Sequence, residues 1–167
     1  MRKNHNRINK CIRILQIVFL WIGITHFIIG IAYIPTESME PTIKGKSLII
    51  EYRLPYNMME YCRIERGDII SFTHEGFREI MCKRVIGLPG EEISFRNGDV
   101  YINGKILEEG YCLEKHSTFC NRTIKIPSGC IFCMGDNRRI SFDCRDMAYP
   151  FVELKNVQGK MIAAVSW

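Results

Sequence analysis

The sequence predicts a mainly β domain, an antiparallel sheet system of barrel or sandwich kind, behind one amino-terminal transmembrane helix. Three observations carry this. An apolar run, Ile14–Ile34, follows a basic tail. After it come short apolar runs, separated at regular intervals by Gly-rich turns and showing little helical periodicity. The length of 167 residues, with 47% hydrophobic and 25% charged, suits one domain and excludes a disordered chain or a polytopic membrane protein.

Residues 1–13 hold Arg2, Lys3, Arg7, Lys10 and Arg13 and no acid. The 23 Lys and Arg, less these five, equal the 18 Asp and Glu, so the net charge of +5 resides in the tail. A balanced remainder lends no support to nucleic acid as a partner. In Ile14–Ile34 the clearly polar residues are Gln16, Thr25 and His26. As a helix it would extend ~31 Å, matching a hydrocarbon core of ~30 Å. A cleaved signal peptide has a shorter apolar core and ends in a small-x-small pattern; this segment ends Tyr33-Ile34-Pro35-Thr36. The expected organisation is a cytoplasmic tail over 1–13, a single-pass anchor over 14–34, and an extracytoplasmic domain over 35–167.

Strands are expected at Ser47–Arg53, Asp68–Thr73, Glu79–Ile86, Glu91–Phe95, Val100–Ile106, Gly129–Met134 and Lys160–Trp167. Gly87-Leu88-Pro89-Gly90 reads as a turn, and Asn97-Gly98 as a hairpin. Residues 55–62, Pro-Tyr-Asn-Met-Met-Glu-Tyr-Cys, do not alternate. They read either as a loop packed on the core or as a wedge for the outer leaflet.

Of the eight cysteines, Cys11 falls in the tail and seven lie beyond the anchor, an odd number that cannot all pair internally. Cys112 and Cys120 bracket a polar loop and are the disulfide candidates. Cys130 and Cys133 have C-x-x-C spacing but alternate like a strand, with no second pair at zinc-finger distance. They read as small buried residues, with no metal expected.

Three segments could carry chemistry. Pro35-Thr36-Glu37-Ser38-Met39-Glu40-Pro41 sets a serine between prolines, which hold the backbone out of helix. Lys83 sits in the apolar strand Ile80-Met81-Cys82-Lys83-Arg84-Val85-Ile86. Alternation places it with Met81 and Val85, and Arg84 with Cys82 and Ile86. A lysine among apolar groups loses hydration, its pKa falls, and the neutral amine can deprotonate a hydroxyl. His74 and His116 lie in polar loops and keep a Ser-His arrangement open. In the third segment, Gly135 to Arg145, Asp136 and Asn137 can close an Asx turn, and Asp143 could pair with Arg84 or Arg145.

Pro35-Thr36-Glu37-Ser38-Met39-Glu40-Pro41-Thr42, Arg66-Gly67-Asp68-Ile69-Ile70, Lys83 through Glu91, and Gly135-Asp136-Asn137-Arg138 through Asp143-Cys144-Arg145 occur in that order. Together they resemble the bacterial type I signal peptidases, a family of membrane-anchored Ser/Lys proteases. The resemblance implies a β-rich catalytic core outside the membrane, with a small β region inserted at about 91–128. It implies Ser38 as nucleophile and Lys83 as general base. Ser141 would orient the lysine amine, and Thr36 would join the Ser38 N–H in an oxyanion hole. Asp143 and Arg84 would form a supporting ion pair, with Asp136 and Arg145 in the same supporting network. No metal or organic cofactor is called for. The implied substrates are preprotein signal peptides, extended and with small residues at the first and third positions before the cut, met at the lipid bilayer. Cys144 departs from the family's usual serine, and Ser47 from its frequent aspartate. The alternatives are a specialised processing peptidase for one exported substrate, or a non-catalytic anchored β module.

Overall fold

The structure, a computed structural model, describes residues 2–53, 64–74, 79–112, 114, 117–120, 122–146, 148 and 150–166; for 2–8 and 24–27 it describes the backbone alone. Residues 55–62, with Cys62, and His116 lie outside the described residues.

Helix α1 (Arg2–Ile28) gives way to strand β1 (Ile29–Ile34). This corrects the expected anchor, whose last residues belong to the sheet. β1 pairs antiparallel with β2 (Ser47–Tyr52) along its whole length, from Ile29 opposite Tyr52 to Ile34 opposite Ser47. The physical reason is local: Ile29-Gly30-Ile31-Ala32-Tyr33-Ile34 is rich in strand formers. Hydropathy alone does not separate a buried strand from the end of a membrane helix. Among the described residues no helix is long and apolar enough to cross a membrane.

The remaining strands are β3 (Ile69–Phe72), β4 (Met81–Gly87), β5 (Glu92–Arg96), β6 (Asp99–Ile102), β7 (Lys105–Ile106), β8 (Thr123–Lys125), β9 (Cys130–Met134), β10 (Val152–Glu153) and β11 (Val157–Val165). They form a seven-stranded sheet in the order β1-β2-β11-β3-β4-β9-β10 and a four-stranded sheet in the order β7-β6-β5-β8. Every pairing is antiparallel. The small sheet is a single excursion between β4 and β9.

Val100–Ile106, expected as one strand, is the hairpin β6–β7. Both tight turns of the small sheet are Asn-Gly pairs with positive φ at both residues: Asn97 (53°) with Gly98 (82°), and Asn103 (50°) with Gly104 (78°). That backbone matches the right-handed twist of the flanking strands.

β3 and β9 are buried along their whole length and β4 nearly so, because both faces of these central strands are covered. One core joins the two sheets: Phe72, Val85, Ile131, Phe132 and Met134 pack with Ile93, Val100 and Ile126 of the inserted region. A second cluster, Ile34, Met39, Ile43, Ile49, Ile69 and Cys82, lies beneath the turn that carries Ser38. The register pairs Ile70 with Lys83 and Ile69 with Arg84, so neighbouring Lys83 and Arg84 emerge on opposite faces of β4.

Phe132 is fully buried and its ring centroid lies 6.2 Å from that of Phe95 on the small sheet. Phe132→Ala is expected to destabilise the domain by about 3–5 kcal/mol through the cavity it leaves. Ile106→Ala, at an exposed position, should cost under about 0.5 kcal/mol. Urea unfolding of the purified protein measures both.

Candidate active site

Ser38 is held by its neighbours in the chain. Met39 and Ile43 are buried in the second cluster, and the Ile43 N–H donates to the Met39 carbonyl at 2.9 Å, closing one helical turn. Burying two such side chains stabilises the turn by roughly 1.5–3 kcal/mol each. The serine stands at the edge of this anchored turn, 7% exposed.

Lys83 comes from the middle of β4 and is 5% exposed. Its Nζ donates to Ser38 Oγ at 2.7 Å. Burial lowers the lysine pKa from its ordinary value, outweighing the opposing charge of Asp143 and the smaller influence of Cys82, Cys133 and Cys144. Those three thiols are themselves pushed up by burial, Cys82 and Cys144 to about 12, so they surround the amine as neutral groups. Thr36 Oγ1 lies 3.2 Å from Ser38 Oγ on the solvent side.

The loop 135–145 closes the site. The Asn137 N–H donates to the Ser38 carbonyl at 3.1 Å, and Asn137 Nδ2 to the Glu37 carbonyl at 3.3 Å. Fully buried Asp143 accepts from Arg145 Nε (2.8 Å) and Nη2 (2.9 Å), from the Gly135 N–H (3.0 Å) and from Ser141 Oγ (2.8 Å). The expected Asp143–Arg84 pair is therefore corrected: Asp143 is clasped by Arg145. Arg84 instead grips Asp136, Nε to Oδ1 at 2.8 Å and Nη2 to Oδ2 at 2.6 Å. Emergence from the face of β4 opposite Lys83 sends Arg84 toward the start of the loop, away from Asp143. Burial works against the Arg84 charge, but its hydrogen bonds to Asp136 and that carboxylate's charge outweigh it. Paired charges of this kind cost about 3–5 kcal/mol when one partner is removed.

The structure thus brings Ser38, Lys83 and Thr36 together, and Ser141 to Asp143. His74 is buried but does not line the cleft in which Ser38 and Lys83 lie. That cleft, ≈ 350 Å³, has apolar walls from Ile34, Ile80, Met81, Ile140 and Phe142. A larger hollow of ≈ 440 Å³ lies on the inserted region, away from Ser38 and Lys83, and carries neither. Sequence reasoning places Thr42 at the end of the serine motif but gives it no role; its hydroxyl donates to Asp136 and accepts from Arg84 Nη2 at 3.2 Å, tying the serine turn to that pair. Nor does it find Ile140 and Phe142, since exposed apolar residues in a charged loop are not distinctive. Cys112 and Cys120, the candidate disulfide pair, carry free thiols, and Cys112 lies beside Arg138 and Glu109. Among the described residues no group of three His, Cys, Asp or Glu could hold a metal ion.

A Cβ on Gly135 would come within 2.2 Å of Ser141 Oγ and 2.5 Å of the Ser38 carbonyl oxygen. Gly135→Ala is therefore expected to displace both. Acylation of Ser38 by an electrophilic reagent, followed by mass spectrometry, should slow by roughly a hundredfold, the scale of an ångström-sized misplacement.

Residues 7–167 match the family model described as Signal peptidase, peptidase S26. A probable signal peptidase I-2 of Synechocystis is 36% identical over 132 residues, 75% of this chain and 59% of that protein. Signal peptidase I of Bacillus caldolyticus is 35% identical over 138 residues, covering 75% of this chain and 72% of that one. The Leptolyngbya laminosa signal peptidase I is 34% identical over 153 residues, 87% of this chain and 72% of its own length. The chain thus spans about three fifths of the length of the first of these relatives. Among solved structures, a signal peptidase I from Enterococcus faecalis aligns with a TM-score of 0.51 and 32% identity over 59% of this chain and 96% of that one. A match of this extent, on a chain whose serine and lysine already meet in a buried cleft, places the protein in the signal peptidase family, peptidase S26.

Proposed function

We propose that this chain is a serine endopeptidase that removes amino-terminal signal peptides from exported preproteins, with Ser38 as nucleophile and Lys83 as general base. The observation that carries this is the 2.7 Å hydrogen bond from Lys83 Nζ to Ser38 Oγ, made where both side chains are buried. Family membership supports the reaction class.

Neutral Lys83 takes the Ser38 proton as Oγ attacks the scissile carbonyl. The Thr36 hydroxyl and the Ser38 N–H receive the developing oxyanion, each donor worth about 3 kcal/mol. The lysine then passes its proton to the leaving amine and activates the water that releases the acyl-enzyme. Ser141 and Asp143 keep the amine side of the site in register, and the Arg84–Asp136 and Arg145–Asp143 pairs hold the loop. An extended substrate would lie in the cleft, its alternate side chains reaching the apolar walls.

The lipid bilayer is the second partner in this reading. Every large apolar side chain described from Ile12 to Ile22 on α1 is exposed, a pattern suited to lipid rather than water. The apolar stretch of α1, residues 14–28, is about 22 Å long. Spanning the membrane therefore asks Lys10 and Arg13 to snorkel. It also brings the exposed Ile29, Ile31, Tyr33, Ile162 and Val165 of β1 and β11 to the outer interface. The basic tail sets the orientation with the amino terminus inside.

Because only the neutral amine acts as base, activity should rise with pH through the Lys83 pKa, and burial sets that limb below the ordinary lysine range. Ser38→Ala should abolish preprotein cleavage. Lys83→Arg should do the same, because guanidinium stays charged; Lys46→Arg, at an exposed position, should retain activity. Normal cleavage by Lys83→Arg would remove the lysine from the mechanism. For topology, protease added to intact wall-stripped cells should digest the domain after residue 35, and full protection would reverse the orientation.

A further inference from the structure

The inserted region reaches back into the loop that closes the site. The contact is made by the segment between β7 and β8. Arg138, 4% exposed, belongs to the loop. Its Nε donates to the Gly135 carbonyl at 2.9 Å. Its Nη1 donates to Glu109 Oε2 at 2.8 Å and to Thr118 Oγ1 at 2.6 Å, and its Nη2 donates to the other Glu109 oxygen. The Tyr111 hydroxyl donates to Glu109 Oε1 at 2.8 Å. The ring of the same tyrosine stacks against Arg84, whose Cζ lies 4.1 Å from the centroid. Leu107 and Tyr111 pack against the core shared by the two sheets, so the segment is itself anchored.

Both arginines end on the first residues of the loop, Arg138 on Gly135 and Arg84 on Asp136. Gly135 is where displacement would be felt most. Its N–H holds Asp143, and its Cα is packed against Ser141 and the Ser38 carbonyl too closely to admit a methyl group. We propose that Glu109 and Tyr111 are positioning residues for the Ser38–Lys83 pair, acting through Arg138 and Arg84 to hold Gly135 and Asp136 in place. The inserted region is on this view a brace for the catalytic loop. The inference rests on the Ser38–Lys83 reading of the site. A bidentate carboxylate–guanidinium pair suits the task, because two parallel hydrogen bonds fix orientation as well as distance. The cation–π contact of Tyr111 with Arg84 adds a second tether from the same segment.

The same segment supplies an internal comparison. Glu114 pairs with Arg139 at 3.2 Å, and both side chains are largely exposed, 50% and 67%. That pair has the same charges but neither burial nor a link to Gly135, and exposed pairs contribute little.

The test uses the full chain in detergent with a preprotein substrate. It measures kcat and KM per folded molecule and the acid limb of the pH–rate profile. Glu109→Gln keeps the shape of the side chain and removes its charge. It should lower kcat about tenfold or more while leaving KM unchanged. It should also move the acid limb to higher pH, because a loosened loop admits water to Lys83 and relieves the desolvation that depresses its pKa. Tyr111→Phe keeps the ring on Arg84 and loses the bond to Glu109, so it should show the same changes at smaller amplitude. Glu114→Gln should match the unaltered enzyme. A purely structural role would reduce the folded fraction and leave kcat per folded molecule and the acid limb where they were; that result in Glu109→Gln overturns the proposal. If Glu109→Gln does not fold, Tyr111→Phe decides by the same two readouts. Ser38→Ala keeps the two readings apart. Turnover by that variant would overthrow the site itself, whereas inactive Ser38→Ala beside unaffected Glu109→Gln overturns the brace alone.

Discussion

A lysine amine accepts a proton from a serine only when it is neutral, and water is the main thing that keeps it charged. The lowered pKa of Lys83, whose amine lies on the Ser38 hydroxyl, therefore depends on excluding water from the middle of β4. Much of the surrounding architecture serves that exclusion. The central strands β3, β4 and β9 are buried on both faces; β9 lies wholly in the core shared with the inserted sheet, and β3 and β4 also give Ile69 and Cys82 to the cluster beneath the Ser38 turn. Cys82, Cys133 and Cys144, small and un-ionised, fill the space near the amine without offering it a charge.

Asp143 is the counterweight. A buried carboxylate near Lys83 favours the ammonium form, and its influence is limited by how fully it is engaged elsewhere. It takes three bonds from Arg145, two from the guanidinium and one from the backbone N–H, and one each from Gly135 and Ser141. The net effect on the lysine still follows burial rather than Asp143. The same pattern holds across the loop, where Asp136 and Arg138 are buried and each is matched by a bidentate partner. Such pairs add little net stability against apolar replacements, but they tolerate only a narrow geometry. A loop made of them is stiff, which suits a segment that holds the Ser38 carbonyl and the Ser141 hydroxyl in fixed places.

The strands of the core were legible because their patterns are local. Ser47–Tyr52 reads as an apolar strand around Leu48-Ile49-Ile50, Cys130–Met134 is a continuous apolar run, and Asn97-Gly98 demands its hairpin. The strand β1 was not legible, because six apolar residues behind a membrane-like helix have the same hydropathy whether they enter lipid or pair with β2. The Val100–Ile106 run held the same local signal in Asn103-Gly104, passed over because the flanking strands are too short for either to read as a strand alone.

By itself the sequence determined the order of the motifs, the serine between its prolines, the lysine in its apolar strand and the tail that carries the net charge. Those are properties of residue type and spacing, and they were enough for the family. Which arginine holds which carboxylate was decided only in three dimensions. Alternation along β4 already put Lys83 and Arg84 on opposite faces, and the resemblance offered Arg84 to Asp143; where the loop 135–145 folds back on the strand decided the pairing. That step handed Arg84 to Asp136 and left Arg145 for Asp143. The contact of Glu109 and Tyr111 with the loop is likewise tertiary, because it joins segments whose closeness is set by how one sheet packs on another.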